Sequence, residues 1–343
     1  MVRAADTSHK ERLEALHERM ARHSLSGHWQ PRQRTPVPEA WLWPWEEIYG
    51  CLMESGEVVR LGADTARRTV QLMNPALTAQ KSTSKTLQMS VQLVKPGEIA
   101  ECHRHTAAAL RFVVQGRGTF TTVEGERFFM EPGDLILTPS WTWHEHTNET
   151  DEPIVWLDVL DSHLVGHLDA AFQEPYPAEH PQTVTKPDGY SVRRFGPARP
   201  RQDGIAGAPP YNYKWAETEQ ALHEMAGREA PDPYDGLLLE YKNPLTGGPT
   251  MPTIGSNVQL LQPGEITRAH RHTSLTIYHA VRGSGTTVIE GKPYQWNERD
   301  CFIVPSWKWH EHRNRSSDEA AVLFSVTDRP VLLGLGLFRE EGN

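Results

Sequence analysis

The chain carries one signature of polar and aromatic residues twice. Residues 91–148 contain the strings PGE, HRHT, PSW and WHEH, and residues 258–314 contain the same strings in the same order. So many matches at matched spacing identify two copies of one structural unit. With 343 residues, the chain is long enough for each copy to have its own core.

Within each copy, short runs rich in Val, Phe, Thr and Ile break at Gly or Pro, as in RFVVQG and LILTPS. This pattern predicts an all-β chain whose copies are small antiparallel sandwiches or barrels. Helices are predicted for SHKERLEALHERMARHSL, HLVGHLDAAFQE and TEQALHEMAGRE. The predicted organisation is an N-terminal helical, Trp- and Pro-rich arm (1–60), a first domain (61–175), a helical and irregular linker (176–235) and a second domain (236–343).

Charge and cysteine content limit the partners and the compartment. Lys and Arg number 35 against 44 Asp and Glu, giving a net charge of -9. Without a long basic run, we expect neither nucleic acid nor a membrane surface as a partner. Three cysteines without a CxxC pair, and an N-terminal stretch without an apolar segment, favour a reducing, cytoplasmic location.

The histidines of the repeated strings have the spacing of metal ligands. Because side chains alternate along a strand, His103 and His105 share one face, as do His144 and His146. Isolated HxH pairs are more often solvated or hydrogen-bonded histidines, but further histidines in the same copy favour a metal site. The second copy repeats the pattern with His270, His272 and His310, which could hold another metal.

The spacing of these residues resembles the two cupin motifs. Gly97, His103, His105 and Gly116 resemble the first motif, and Gly133, Pro139, His144 and Asn148 resemble the second. The second copy repeats both motifs with Gly264, His270, His272, Gly283, Pro305, His310 and Asn314, and has Arg299 in place of the second-motif glycine. The resemblance implies a bicupin, with two tandem antiparallel β-barrels.

One departure from many cupins concerns the glutamate that follows their HxH and binds the metal. The corresponding residues here are Ala109 and Leu110, and in the second copy Thr276 and Ile277. This counts against oxalate oxidase or decarboxylase chemistry. It leaves a site of three neutral imidazoles.

Over nearly its whole length, the chain is similar to the gentisate 1,2-dioxygenase family, which includes salicylate, 5-nitrosalicylate and 1-hydroxy-2-naphthoate dioxygenases. The strings RRTVQLMNPAL, PGEIAECHRHTAAALRFVVQGRG and RAHRHTSLTIYHAVRGSG carry this resemblance. It implies one Fe(II) in the catalytic N-terminal cupin on His103, His105 and His144, no organic cofactor, and a homotetramer. It also implies that O2 opens a 2-hydroxybenzoate ring between the carbons bearing the carboxyl and hydroxyl groups.

Candidate substrate-binding residues surround the triad. Arg111, six residues after His105 and placed on the same strand, can bind the substrate carboxylate, whereas the second copy has Tyr278 there. Either Arg67 or Arg68 resembles a second arginine of the family. Counting from His103 places Gln92 on the opposite face unless the chain bends, but the family resemblance places it in the pocket.

Four further residues complete the candidate site. His146 is a candidate proton acceptor or hydrogen-bond donor to bound oxygen. Asp158 could orient His146 or a ligand histidine, or could be a charge at a strand end. Gln88 and Ser90 lie in TLQMSVQ, where gentisate-cleaving relatives have a sequence like LWAAIQ, so the accepted ring substituent can differ from a 5-hydroxyl.

Other functions stay open at this level. A bicupin can bind or store a ligand through a metal without turnover, and a metal-dependent isomerase or decarboxylase would not consume oxygen. Within the dioxygenases, 1-hydroxy-2-naphthoate is an alternative to gentisate or a 5-substituted salicylate. Because the second copy lacks Arg111, its triad is expected to be structural or vestigial.

Overall fold

A computed structural model describes residues 2–31, 35–177, 181–196 and 207–343. The chain divides into two compact units, residues 1–36 and 37–343. In the first unit, α1 (Val2–Arg22) confirms the helix predicted around residues 8–25. Trp29 Nε1 donates to His17 Nε2 at 2.9 Å within the same unit. No helix in the described ranges has the length and apolar character needed to cross a membrane.

The second unit begins with a strand and a helix that sequence patterns did not indicate. These are β1 (Trp41–Trp43) and α2 (Trp45–Val58). Pro44 stands before the helix with extended backbone, and Glu46 and Glu47 lie in its first turn, where the helix dipole favours negative charge. The helix buries Ile48 and Leu52, which are one turn apart.

The first copy and the connection that follows it contain the next eleven strands and three helices, together with a 3₁₀ helix (Pro75–Gln80). In chain order they are β2 (Thr69–Gln71), β3 (Gln88–Val94), β4 (Ile99–His105), β5 (Ala109–Gln115), β6 (Phe120–Val123), β7 (Glu126–Phe129), β8 (Leu135–Thr138), β9 (His144–Thr147), β10 (Ile154–Leu160), α3 (Ser162–His167), β11 (Gln173–Pro175), α4 (Tyr190–Phe195), β12 (Tyr211–Tyr213) and α5 (Trp215–Ala226).

The second copy provides the remaining ten strands and one helix. They are β13 (Leu237–Glu240), β14 (Gly255–Leu261), β15 (His270–His272), β16 (Thr276–Arg282), β17 (Gly285–Ile289), β18 (Lys292–Trp296), β19 (Cys301–Val304), β20 (His310–Asn314), β21 (Ala321–Thr327), α6 (Arg329–Gly334) and β22 (Glu340–Gly342).

Each copy is built from a six-stranded and a five-stranded antiparallel sheet. The sheets of the first copy have the orders β12-β8-β5-β10-β3-β2 and β11-β4-β9-β6-β7. Those of the second have the orders β1-β19-β16-β21-β14-β13 and β18-β17-β20-β15-β22. The predicted all-β, two-copy architecture is confirmed. Among the described strands, however, hydrogen bonding does not close either pair of sheets into a continuous barrel.

One of the two edge strands of each six-stranded sheet comes from outside that copy. Strand β1 precedes the first copy but pairs with β19 of the second, and β12 precedes the second copy but pairs with β8 of the first. A helix follows each strand and begins at a tryptophan anchored to the same sheet. Trp45 N donates to Asp300 Oδ1 at 2.7 Å, and Trp215 N donates to Asp134 Oδ1 at 3.0 Å.

One hydrophobic core joins the two copies across their six-stranded sheets. Phe112 of β5 stacks on Phe324 of β21 with ring centroids 4.1 Å apart and an interplanar angle of 13°. Around them, apolar residues from strands of both copies form a single cluster together with Ile48 and Leu52 of α2. Because the copies share this core, the five-stranded sheets carrying the histidines lie on its outer sides.

The predictions for the connecting segments have mixed outcomes. The helix predicted at 218–229 is confirmed by α5, but the helix predicted at 163–174 is wrong beyond His167. There Gln173 and Glu174 belong to β11, which pairs with the edge of β4. The connection predicted to be irregular contains α4 and β12, and its residues 178–180 and 197–206 lie outside the described residues.

Candidate metal centre

Two neighbouring strands bring the first histidine triad together. His103 and His105 come from β4 and His144 from β9, and His103 lies opposite His144 in the strand register. The ring centroid of His144 lies 4.5 Å from that of His103 and 4.9 Å from that of His105. One nitrogen of each ring lies within 4.8 Å of the others, close enough for a common ion.

Hydrogen bonds at the opposite ring nitrogens orient two of these ligands. His105 Nδ1 lies 2.7 Å from the Ala107 carbonyl oxygen, and His144 Nδ1 lies 2.9 Å from that of Thr142. Since a carbonyl only accepts, each Nδ1 carries the proton and each Nε2 keeps a lone pair for a metal. His144 Nε2 is buried and has no hydrogen-bond partner among the described residues. These donors therefore fit a divalent transition metal.

The environment keeps the triad neutral. Burial, with the positive charge of Arg67 next to it, lowers the pKa of His103 to about 3. Burial likewise lowers the pKa of His144 well below its usual value, with a further contribution from Arg111. Near neutral pH, all three imidazoles are thus unprotonated at one nitrogen, the state that binds metal.

The triad opens into a cleft of about 650 Å³, the size of a small-molecule site. Six of the predicted substrate-contacting residues line it, namely Arg67, Gln88, Ser90, Gln92, Arg111 and Asp158. The acidic residue Glu174 also lines it but is paired with Arg104, and the side chain of Glu101 is exposed. The cleft is therefore polar, with its arginines close to the metal ligands.

Arg111 is 2% exposed and lies opposite Asp158 in the pairing of β5 with β10. Its Nε is 3.3 Å from Asp158 Oδ1, and its Nη1 donates to Thr138 Oγ1. The expectation that Arg111 shares a strand with His105 is wrong, because β4 ends at His105 and Arg111 belongs to β5. The two strands nevertheless face the same cleft.

The side chains of Arg67 and Arg68 point in different directions, and only that of Arg67 reaches the cleft. Arg67 lines the cleft, donates to the Glu101 carbonyl at 2.7 Å, and places Nη2 2.8 Å from His103 Nδ1. Burial and repulsion from Arg111 lower the pKa of Arg67 to about 10. Arg68 points elsewhere, into a bidentate ion pair with Glu98 at 2.8 and 2.6 Å.

Gln92 lies in the cleft, as the family resemblance suggested. Counting from His103 fails because Gln92 is on β3, and the chain turns at Gly97 (φ +75°) before β4. The side chain of Gln92 is 1% exposed, and its amide nitrogen and oxygen have no hydrogen-bond partner in the described part of the chain. Such a buried amide is costly to leave unpaired and is suited to bind a polar ligand.

The comparisons with known proteins support this site. A model of the cupin domain family matches residues 90–160 and again residues 257–327. The 5-aminosalicylate 1,2-dioxygenase of Comamonas sp. is 43% identical over 98% of this chain and 92% of its own length. The gentisate 1,2-dioxygenase 1 of Aquipseudomonas alcaligenes is 39% identical over 97% of both chains.

This chain belongs to the gentisate and salicylate 1,2-dioxygenase family. The crystal structure of a salicylate 1,2-dioxygenase from Pseudaminobacter salicylatoxidans shares its fold with a TM-score of 0.87 at 30% identity, over 96% of this chain and 97% of that one. The predicted family, the bicupin fold and the assignment as a ring-cleaving 1,2-dioxygenase are confirmed.

Two predicted roles in this dioxygenase need revision or stay untested. Asp158 contacts Arg111 rather than a histidine, and it lies inside β10 rather than at its end. The predicted role of Asp158 in orienting a histidine stays a prediction. His146 is fully buried, pairs through Nδ1 with Thr121 Oγ1 at 2.8 Å, and does not line the cleft. Its role as a proton acceptor stays a prediction.

Sequence reasoning missed three residues near the substrate cleft of this family member. Thr138 holds Arg111, Gln173 lines the cleft from β11, and His163 Nε2 lies 2.9 Å from Gln88 Oε1. Strand pairing makes Gln173 the counterpart of Glu340, because QEP at 173–175 pairs with β4 as EEG at 340–342 pairs with β15. Thr138 and His163 carry no comparable pattern, because their contacts depend on long-range packing.

Proposed function

We propose that this 1,2-dioxygenase holds Fe(II) on His103, His105 and His144 and opens the ring of a 2-hydroxybenzoate between its carboxyl- and hydroxyl-bearing carbons. One observation carries the proposal, namely a triad of neutral imidazoles that opens into a cleft with Arg67 and Arg111. Imidazole suits Fe(II), and three protein ligands leave positions open. When bound, Fe(II) supplies positions for substrate and O2 and passes electron density between them.

The residues of the cleft bind and orient the acid. The guanidinium of Arg111 binds the carboxylate, because it lines the cleft, its Nη1 donates to Thr138, and its buried Nε has an ion pair with Asp158 but no hydrogen-bond partner among the described residues. Arg67 adds positive charge beside His103 and favours the deprotonated phenol. The unpaired Gln92 amide hydrogen-bonds a substrate oxygen. Negative charge thus comes with the substrate rather than from a fourth protein ligand.

The substrate we infer is gentisate or a 5-substituted salicylate. Gln88 lines the cleft at 5% exposure, and its amide oxygen accepts from Thr83 N at 3.2 Å and lies next to His163. Ser90 lies on the same strand and lines the same cleft. Such a polar wall suits an amino, nitro or hydroxyl substituent. It suits the second apolar ring of 1-hydroxy-2-naphthoate less well.

Anaerobic loading with Fe(II), followed by oxygen uptake on a panel of hydroxybenzoates, tests the proposal. The panel contains gentisate, salicylate, 5-aminosalicylate, 5-nitrosalicylate and 1-hydroxy-2-naphthoate. A non-catalytic metal-binding bicupin would consume no oxygen with any of them. An isomerase or decarboxylase would convert substrate without consuming oxygen.

His144→Ala and His310→Ala form a matched pair for locating the active site. They remove equivalent histidines of the two copies, from β9 and β20. We expect His144→Ala to abolish iron-dependent turnover, since a three-ligand site without a fourth donor loses most of its affinity. The folded His310→Ala enzyme should keep substantial turnover. The reverse result would place catalysis in the second copy.

We also propose the organisation that the sequence predicts. The domain boundaries are 1–60, 61–175, 176–235 and 236–343, the assembly is a homotetramer, and the location is cytoplasmic. The family resemblance supports the tetramer, and three free cysteines agree with a reducing compartment. Light scattering coupled to size-exclusion chromatography measures the subunit count.

A further inference from the structure

The second copy holds a histidine triad with nearly the same geometry as the first. The ring centroid of His310 lies 4.4 Å from that of His270 and 5.1 Å from that of His272. His272 Nδ1 lies 2.8 Å from the Ser274 carbonyl oxygen, and His310 Nδ1 lies 3.0 Å from that of Lys308. The Nε2 atoms of His270 and His310 are buried without a hydrogen-bond partner among the described residues. These nitrogens are therefore oriented to bind an ion.

The charge next to this triad is opposite to that of the first copy. Asp235 Oδ1 lies 3.9 Å from His270 Nε2, and Glu340 Oε1 lies 3.7 Å from His270 Nδ1. In the first copy, the corresponding neighbour of His103 is the Arg67 guanidinium. The position of Arg111 is occupied by Tyr278. The second triad thus already has negative charge from the protein.

Strand pairing shows how Glu340 reaches the site. Strand β22 pairs with β15, and Glu340 lies opposite His272. In the first copy, β11 pairs with β4 in the same way, and Gln173 lies opposite His105. A neutral amide that lines the first cleft is therefore replaced by a carboxylate in the second.

The second site is too small for an aromatic acid. Its cavity is about 50 Å³, against the roughly 300 Å³ or more of typical ligand pockets. The Tyr234 ring stacks on His270 with centroids 5.4 Å apart, and Phe338 and Arg329 close the same cavity. Such a space admits an ion and little else.

Positive side chains among the described residues do not fully neutralise the carboxylates beside the second triad. Asp235 lies among the negative charges of Asp232 and Glu340, with Arg329 as an opposing positive charge. Two ligands about 2.1 Å from one ion lie roughly 3 to 4 Å apart, which is the separation of Asp235 Oδ1 and His270 Nε2. A divalent cation would satisfy both groups.

We propose that the second cupin binds a divalent transition-metal cation through His270, His272, His310 and Asp235, as a closed structural site. The Glu340 carboxylate, 3.7 Å from His270 Nδ1, adds negative charge beside this ligand and favours the bound cation. Four protein ligands leave no position for substrate, unlike the three of the first copy. The bound ion also stabilises β22, the strand that carries Glu340. The proposal does not depend on the chemistry of the first triad.

Cobalt(II) binding, followed by its visible absorption, tests the site without an activity assay. In a His103→Ala/His144→Ala double variant, the first triad is disabled, and we expect about one Co(II) per subunit. Asp235→Asn in that background should weaken binding about tenfold or more, and Glu340→Gln by several-fold. Glu341→Gln is the matched control, because Glu341 is on the same strand but pairs with Arg271. It should leave the affinity within about twofold.

A folded double variant that binds no Co(II) would overturn the proposal. Equal affinities for Asp235→Asn and Glu341→Gln would overturn the assigned ligand set. Because removing two histidines can unfold the first copy, the metal-free wild-type chain is titrated as well. It should bind a second equivalent of Co(II) that slows hydrogen exchange at the Asn343 amide, which donates to Ala269 O at 3.0 Å. A single equivalent with unchanged exchange would contradict the proposal.

Discussion

At the residue scale, the neighbours of the ligands decide what each triad can bind. Each copy presents two imidazoles whose Nδ1 atoms are held by backbone carbonyls. The first copy adds Arg67 and Arg111, whereas the second adds Asp235 and Glu340. An anionic aromatic ligand fits the first environment, and a cation with protein carboxylates fits the second.

Arg111→Ala tests the carboxylate-binding residue. We expect kcat/KM to fall by about a hundredfold or more, because a buried charge-assisted hydrogen bond to the substrate is lost. Arg104→Ala is the control, since Arg104 pairs with Glu174 and stacks on Trp141 and Trp143 outside the cleft. It should change kcat/KM by no more than a few-fold. Steady-state kinetics on iron-loaded enzymes measures both, and equal losses would refute the role of Arg111.

To exclude an effect of the unpaired Asp158 left by Arg111→Ala, Arg111→Ala/Asp158→Asn is measured beside it. Restored stability without restored kcat/KM would locate the loss in substrate binding.

Gln88→Trp tests the choice of ring substituent. An indole would remove the polar contacts to Thr83 and His163 and fill part of the cleft. We expect the ratio of catalytic efficiencies to shift toward gentisate and away from 5-nitrosalicylate, by about ten- to a hundredfold. Gln88→Leu separates polarity from volume. An unchanged ratio in both variants would show that another residue sets the preference.

At the element scale, the turn before β8 contains a glycine, whereas the equivalent turn before β19 contains an arginine. Gly133 has φ +87°, and Arg299 takes the equivalent position with φ +71°. A Cβ at Gly133 would lie 2.3 Å from Trp215 Cγ, whereas the Arg299 side chain is 41% exposed. The glycine is therefore required by the packing of α5 in addition to the backbone angle.

Gly133→Ala should destabilise the protein more than Gly97→Ala. Both positions have positive φ, but nothing lies within 4 Å of a Cβ at Gly97. The loss of unfolding free energy in Gly133→Ala minus that in Gly97→Ala measures the clash with Trp215. We expect this difference to be about 1–3 kcal/mol. Urea denaturation of both variants measures it. Equal losses would mean that α5 moves aside at little cost.

The elements also show what could be predicted from sequence and what could not. The ligand histidines and α5 follow from local patterns, namely alternation along a strand and apolar spacing along a helix. Strands β1 and β12 have three residues each, too short for a periodic pattern, and their partners are distant in the chain. The pairing of Arg111 with Asp158 was missed for the same reason, since it depends on the register of β5 and β10. The glutamine on β11 was missed because its segment has helix-forming neighbours.

At the scale of the whole molecule, the interface between the copies contains a buried histidine. His279 of β16 is 2% exposed, and its ring lies 5.9 Å from that of Phe112 and 6.3 Å from that of Trp45. Burial lowers the pKa of His279 to about 3. A neutral imidazole therefore occupies the joint core.

This histidine should make the stability of the metal-free protein depend on pH. As the pH falls from about 6.5 to 3, the unfolded chain gains a proton at His279 that the folded chain does not, so stability is lost across that window. His279→Leu should reduce the slope of unfolding free energy against pH by up to about 1.4 kcal/mol per pH unit.

The other buried histidines affect both proteins equally and cancel in the difference. The exposed His223→Leu is the control and should leave the slope unchanged. Denaturation at a series of pH values measures all three proteins. Parallel slopes for the wild type and His279→Leu would contradict the prediction.

Strand β1 precedes the first copy and pairs with the second, and β12 precedes the second copy and pairs with the first, as in an exchange of segments between two chains. Each strand and its following helix dock on the other repeat through equivalent contacts of Trp45 and Trp215. Two identical chains make the same contacts when they exchange their N-terminal segments in a domain-swapped dimer. The two repeats of this single chain therefore have the same arrangement as the two chains of such a dimer. The second half thus gives β1 and α2 their docking surface, and the histidines of its own triad take no part in that contact.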